Sequence, residues 1–101
     1  MAKVALEVGS SDGRLMFHCP GCEQAHSVPT RGAQGWYWNG LFDSPSLSPS
    51  ILVYPHDSSP PFKPQPRCHS FVTDGRIRFM ADCEHALKNQ TVDLPEWEGI
   101  R

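Results

Sequence analysis

With 101 residues, a formal charge of −2 and 20% charged residues, the chain is sized for one domain, taken as 1–101. It lacks the basic excess of a nucleic-acid binder. No apolar run approaches the ~20 residues of a membrane-spanning helix, and Met1 to Val8 is too short and too charged for a secretion signal.

A reducing, cytoplasmic compartment is therefore expected, where four cysteines in clusters favour a metal over disulfides. A domain this small buries only somewhat more than ~60% of its unfolded surface. Ten prolines and eight glycines thin its stability further. A structural zinc, at ~10–16 kcal/mol near neutral pH, matches the whole net stability of such a domain.

In chain order, Lys3 to Val8 alternates as a strand and Ser10 to Gly13 forms a turn. A second strand, Arg14 to His18, runs directly into Cys19-Pro20-Gly21-Cys22, and Ala25 to Val28 leaves that knuckle as a third. Pro29 to Gly35 is loop. Trp36 and Trp38 share one face of a strand ending at the Asn39-Gly40 turn. They are expected to cap the core rather than form a ligand platform.

Asp43 to Ser50 carries two Ser-Pro steps, which force extended geometry into a strand over Ile51 to Tyr54. Its serines lack a Gly-x-Ser-x-Gly elbow and are expected to be solvent-facing turn residues. Pro55 to Pro66 holds five prolines (55, 60, 61, 64 and 66). It is the longest loop and the expected place for a partner contact.

Cys68 to Thr73, Asp74-Gly75 and Arg76 to Asp82 read as a hairpin with a two-residue type I′ turn. That register pairs Thr73 with Arg76, Val72 with Ile77, Ser70 with Phe79 and Cys68 with Ala81. Alternation puts Cys68, Ser70, Val72, Ile77, Phe79 and Ala81 on the core side and His69, Phe71, Thr73, Arg76, Arg78, Met80 and Asp82 on the other. One helical turn over Glu84 to Asn89 and a short strand, Thr91 to Leu94, complete the chain, with Trp97 packing back. The expected fold is a mainly β, single-domain antiparallel structure in which a zinc knuckle and a hairpin are joined through one metal site.

The ligands expected for that single structural Zn²⁺ are Cys19, Cys22, Cys68 and Cys83, with His85 as the rival for Cys68. His26, four residues after Cys22, is a second substitute. His69 faces the other way in this register. Asp82, beside Cys83, is either an outer acceptor for a ligand or an ordinary carboxylate. No His-Glu-x-x-His, no deaminase signature and no thioredoxin-like context is present, so no catalytic residue is assigned.

Several stretches resemble a known family: Phe17-His18-Cys19-Pro20-Gly21-Cys22 with His26, Trp36 to Gly40, Ser46 to Ile51, Cys68 to Ile77, and Asp82 to Leu87 with Thr91 to Pro95. The family comprises small proteins, without an assigned reaction, of tailed bacteriophages and prophages. Some members carry an ammonia monooxygenase label, although nothing in this chain suggests a copper oxygenase. The resemblance covers roughly residues 16 to 97 and implies a phage or prophage origin and action inside the bacterial host. The chain departs from it at Glu23, where the family commonly has the glycine that eases the knuckle turn.

The leading expectation is a zinc-stabilised accessory protein that binds a host or phage protein. The alternatives are a metal-dependent hydrolase using His26, His69, His85 and Asp82, and a nucleic-acid binder using Arg76, Arg78 and the tryptophans. The acidic net charge opposes the last.

Overall fold

The computed structural model describes residues 2–57 and 64–97. Eight strands form two antiparallel sheets, and no helix occurs among the described residues. The first sheet is a meander of β1 (Val4–Leu6), β2 (Arg14–Cys19) and β3 (Gln24–Pro29). The second runs in chain order through β4 (Tyr37–Trp38), β5 (Leu47–Val53), β6 (Cys68–Thr73), β7 (Arg76–Phe79) and β8 (Thr91–Asp93).

Alternation explains the interior. Leu15, Phe17 and Cys19 of β2 are fully buried, whereas the residues between them are half-exposed. His26 and Val28 of β3 point the same way. From the second sheet come Leu47, Ile51, Cys68, Val72, Ile77 and Phe79, and with Leu94 all of these join one core cluster. Trp36 and Trp38 pack against it half-buried, as expected, and their indole N–H groups donate to the Pro49 and Leu41 carbonyls (3.0 and 3.1 Å).

The hairpin register is the expected one: Thr73↔Arg76, Val72↔Ile77, Phe71↔Arg78 and Ser70↔Phe79. Asp74 and Gly75 have φ of 50° and 78°, both positive as a type I′ turn demands. The pairing stops sooner than expected, so Cys68 does not pair with Ala81, and Ala81 is exposed rather than core. The amide of Met80 donates to the His69 carbonyl (2.9 Å), after which the chain turns and the Cys83 amide returns to the Met80 carbonyl (3.3 Å).

Glu84 to Asn89 makes consecutive turns instead of a helical turn. Their bonds are Lys88 N–H to His85 O (3.3 Å) and Gln90 N–H to Leu87 O (3.0 Å). β5 begins at Leu47, inside the Ser-Pro run, and its pairing with β6 is shifted between Leu47 and Ile51. Of the proline-rich loop, residues 58–63 lie outside the described residues, and its base is closed by a two-way backbone bridge between His56 and Gln65 (3.0 and 2.8 Å). Trp97 returns to the N-terminal strand region through its amide and the Ala2 carbonyl (2.9 Å).

A cysteine–histidine centre beside a serine–histidine–aspartate line

β2 delivers Cys19 to the interior because it lies an even number of residues from the buried Leu15 and Phe17. The knuckle then brings Cys22 back, with its amide donating to Cys19 Sγ (3.4 Å) and the Glu23 amide to the Cys19 carbonyl (2.9 Å). Glu23 sits at φ 59°, the left-handed conformation that a glycine takes without a Cβ penalty.

β3 places His26 opposite Phe17, ring edge to face at 5.8 Å. β6 opens with Cys68, whose Sγ lies 3.9 Å from that of Cys19. Ligand atoms of Cys19, Cys22, His26 and Cys68, all buried, lie within 4.8 Å of one another. Four ligands ~2.3 Å from a zinc ion stand ~3.8 Å apart, so the four fit one tetrahedral cation.

Three observations support a cation there. His26 Nε2 is buried without a hydrogen-bond partner, a deficit of ~1–3 kcal/mol that coordination removes. The sulfurs are also crowded: contact with Cys22, reinforced by burial, pushes the Cys19 thiol up to about 12. Cys68 is pushed up by Cys19 and then Cys22, while contacts from Cys19, Cys68, His26 and Gln65 hold Cys22 far below the usual thiol range. A bound cation would relieve this mutual opposition of the three sulfurs. Finally, the buried Gln65 amide donates to Cys22 Sγ (3.0 Å) while its Oε1 accepts from Gln24 (2.7 Å), the kind of outer support that orients a metal ligand.

Cys83 and His85, also expected as ligands, form a second group with Cys68. Cys83 Sγ accepts from the His69 amide and donates to the His69 carbonyl, both at 3.2 Å. His85 packs edge-on against Phe79 (4.5 Å) and over Gly21, its Nδ1 accepting from the Leu87 amide (3.2 Å) and its Nε2 buried without a partner. His69 belongs to neither group, in keeping with its outward face.

On that outer face stands an arrangement the sequence reading did not assign. His69 Nε2 lies 3.0 Å from Ser50 Oγ, and His69 Nδ1 lies 3.2 Å from Asp82 Oδ1. Ser50 is not a turn serine: it lies within β5, half-buried, one step from the regular pair Ile51↔Ser70. It belongs to the irregular stretch between Leu47 and Ile51, where the register shifts and the strand is re-aimed, as at bulges. Asp82 is brought in by the early end of β7 and by reciprocal bonds between the next segment and Arg67, the residue just before β6. These are Arg67 N–H to Glu84 Oε1 (2.8 Å) and Glu84 N–H to Arg67 O (2.9 Å). With Nδ1–H given to Asp82, Nε2 is left with its lone pair toward the Ser50 hydroxyl. The three residues are far apart in sequence and without a local motif, so only the cysteines flanking His69 and Asp82 hinted at their meeting.

Among families of known proteins, residues 2–80 match the one described as "Bacterial ubiquitination-like system serine protease (BubE)". The matched span contains Ser50 and His69 and ends two residues before Asp82. No curated protein and no solved structure matches the chain.

Proposed function

The chain belongs to the bacterial ubiquitination-like system serine protease (BubE) family, and from that premise we propose that it is a serine peptidase stabilised by one zinc ion. The observation that carries the reading is the continuous line Ser50 Oγ–His69 Nε2 (3.0 Å) and His69 Nδ1–Asp82 Oδ1 (3.2 Å).

In the first step the Ser50 oxygen attacks a substrate carbonyl carbon while His69 Nε2 takes the hydroxyl proton. The imidazolium so formed is stabilised by the Asp82 carboxylate, and the proton then passes to the leaving group as the acyl–Ser50 ester forms. Water, deprotonated by the same His69 nitrogen, hydrolyses the ester and restores Ser50. Asp82 is 49% exposed at its side chain, so its contribution is smaller than that of a buried triad aspartate.

Cys19, Cys22, His26 and Cys68 would hold the zinc, which ties the first sheet to the second and carries no step of the reaction. The four-ligand protein set leaves no position for water, as in structural sites. The thiolates suit a reducing bacterial cytoplasm. The reading as a non-enzymatic accessory protein rests on the closed metal site, the proline-rich loop and the lack of a catalytic constellation, and the Ser50–His69–Asp82 line counts against the last of these.

A fluorophosphonate probe tests the proposal. Zinc-loaded wild type should be labelled at Ser50, identified by peptide mass, and Ser50→Ala should not. Failure of folded, zinc-loaded wild type to label would sink the peptidase reading.

A further inference from the structure

The outer face of the second sheet continues from the serine–histidine–aspartate line into a groove of ≈ 380 Å³, lined by Phe71, Thr73, Asp74, Arg76, Arg78 and Thr91. Phe71 and Arg78 are cross-strand partners, as are Arg78 and Thr91. Phe71, Arg78 and Thr91 thus form a row across three strands, and Ser50 lies in the irregular stretch of β5, between the pairs Leu47↔Val72 and Ile51↔Ser70, that stands opposite Phe71. The Phe71 ring also stands beside the His69 ring, centroids 6.3 Å apart. A peptide acylating Ser50 therefore has the groove directly at hand.

The charges of the groove are unequal. Arg76 is paired with Asp93 (3.2 Å). Asp74 Oδ1 accepts from the Ser46 hydroxyl (3.4 Å) while its own amide donates back to Ser46 Oγ (2.9 Å). Arg78 makes no ion pair among the described residues. Its strand lies two inter-strand spacings from β5, ~10 Å, and an extended peptide covers that distance in about three residues.

Resting on the peptidase reading, we propose that this groove is a substrate subsite that selects a carboxylate. The occupant is an extended polypeptide whose acidic group pairs with Arg78, two to three residues from the scissile bond, while its neighbouring aliphatic or aromatic atoms lie on Phe71. A guanidinium binds a carboxylate through two parallel hydrogen bonds, so the position is selective as well as attractive. An acidic side chain and a chain-terminal carboxylate share this chemistry. A nucleic-acid backbone suits the groove less well, because Asp74 and Asp93 flank the arginines.

The test uses zinc-loaded Ser50→Ala protein, which binds without turnover, and short fluorescent peptides carrying one glutamate or one lysine at successive positions. A parallel set ends in a free or an amidated carboxyl group. Fluorescence anisotropy should show the glutamate peptides binding about tenfold more tightly than the lysine peptides near physiological salt. The preference should weaken with added salt and reverse when Arg78→Glu is added. Phe71→Ala should weaken both series. A preference confined to free-carboxyl peptides would identify the acidic group as a chain end.

Equal affinity for glutamate and lysine peptides, a preference that survives Arg78→Glu, or tighter binding of a short single-stranded DNA than of any peptide would each overturn the proposal. Cleavage of the same peptides by wild type separates the two ideas. Charge-selective binding with no cleavage counts against the peptidase alone, and cleavage with charge-blind binding counts against the groove alone.

Discussion

Cys83 grips His69 by both ends of its peptide: the His69 amide donates to Cys83 Sγ and the Cys83 thiol donates to the His69 carbonyl, each at 3.2 Å. Asp82, which takes the His69 ring, is the residue immediately before it, and Cys68 immediately precedes His69. Backbone and side chain of the histidine are thus held from one short segment. Cys83→Ala should slow fluorophosphonate labelling of Ser50 about tenfold, by loosening the histidine, and leave one zinc per chain in place. Cys83→Ser, which keeps a donor and an acceptor, should recover most of the rate. Loss of zinc in Cys83→Ala would place Cys83 in the metal site instead.

Zinc removal should unfold the chain. The centre joins β2 and β3 to β6, and site formation in small zinc domains supplies ~10–16 kcal/mol near neutral pH. Excess chelator should abolish the cooperative thermal transition of wild type, and elemental analysis should give one zinc per chain. His26→Ala should weaken binding at least tenfold, through the lost ligand and the altered packing on Phe17. Unchanged affinity would assign the fourth ligand elsewhere.

Proton release on zinc uptake counts the thiols that bind, which the fold itself shifts unequally. Cys19 is raised to about 12 and Cys68 is also raised, whereas Cys22 is lowered. Their contribution to stability therefore runs in opposite directions. The raised pair favours the fold below the ordinary thiol value of 9.0 and loses this as pH climbs through the raised values. The depressed Cys22 contributes above 9.0 and loses this only as pH falls through its lowered value. Because the metal-free chain is unfolded, its three thiols near the ordinary value of 9.0, zinc should displace about three protons, and its apparent affinity should rise about a thousandfold per pH unit near neutrality. Calorimetry in buffers of different ionisation enthalpy counts them; only two protons would mean that the metal-free chain keeps its fold with the Cys22 thiol already ionised.

Asp82→Asn should lower the Ser50 labelling rate about a hundredfold without changing the thermal midpoint by more than a few degrees. The amide holds the imidazole with the wrong nitrogen protonated and cannot stabilise its positive form. The expected loss is below that of a buried aspartate, because water already screens this carboxylate. An unaltered rate would exclude Asp82 from the line.

Gly21→Ala should destabilise the chain by about 1–3 kcal/mol, because the added methyl group would fall on the His85 ring. Thermal denaturation of zinc-loaded protein reads the effect. A neutral result would show that the ring swings away freely.

Much of the fold was legible where the physics is local. The Asp74-Gly75 turn and the alternation on either side of it were enough for the hairpin register, because positive φ at two successive positions admits few residues and each strand position must choose a face. The same alternation put His69 on the outer face, away from the cluster of Cys19, Cys22, His26 and Cys68. Where the chain leaves a strand, local rules lost their hold. The Met80 amide still makes the in-register bond to the His69 carbonyl, and β7 gives way where the Cys83 amide turns back to the Met80 carbonyl, a long-range arrangement that no residue pattern displays. The early start of β5 and its register shift likewise moved Ser50 from a presumed turn to a strand facing His69.

From sequence alone came the chemical inventory and its local geometry: a mainly β chain, a two-thiol knuckle, a tight hairpin and a Cys68 that must face inward. Spacing within one strand or turn determines these, since side-chain direction there follows from backbone period. Tertiary structure decided which separate pieces meet. It set His26, rather than Cys83, among the three sulfurs of the knuckle centre, and it aligned Ser50, His69 and Asp82 from three segments. Hydrogen bonds between residues distant in the chain arise from how two sheets pack and where their strands stop, and those are properties of the whole fold.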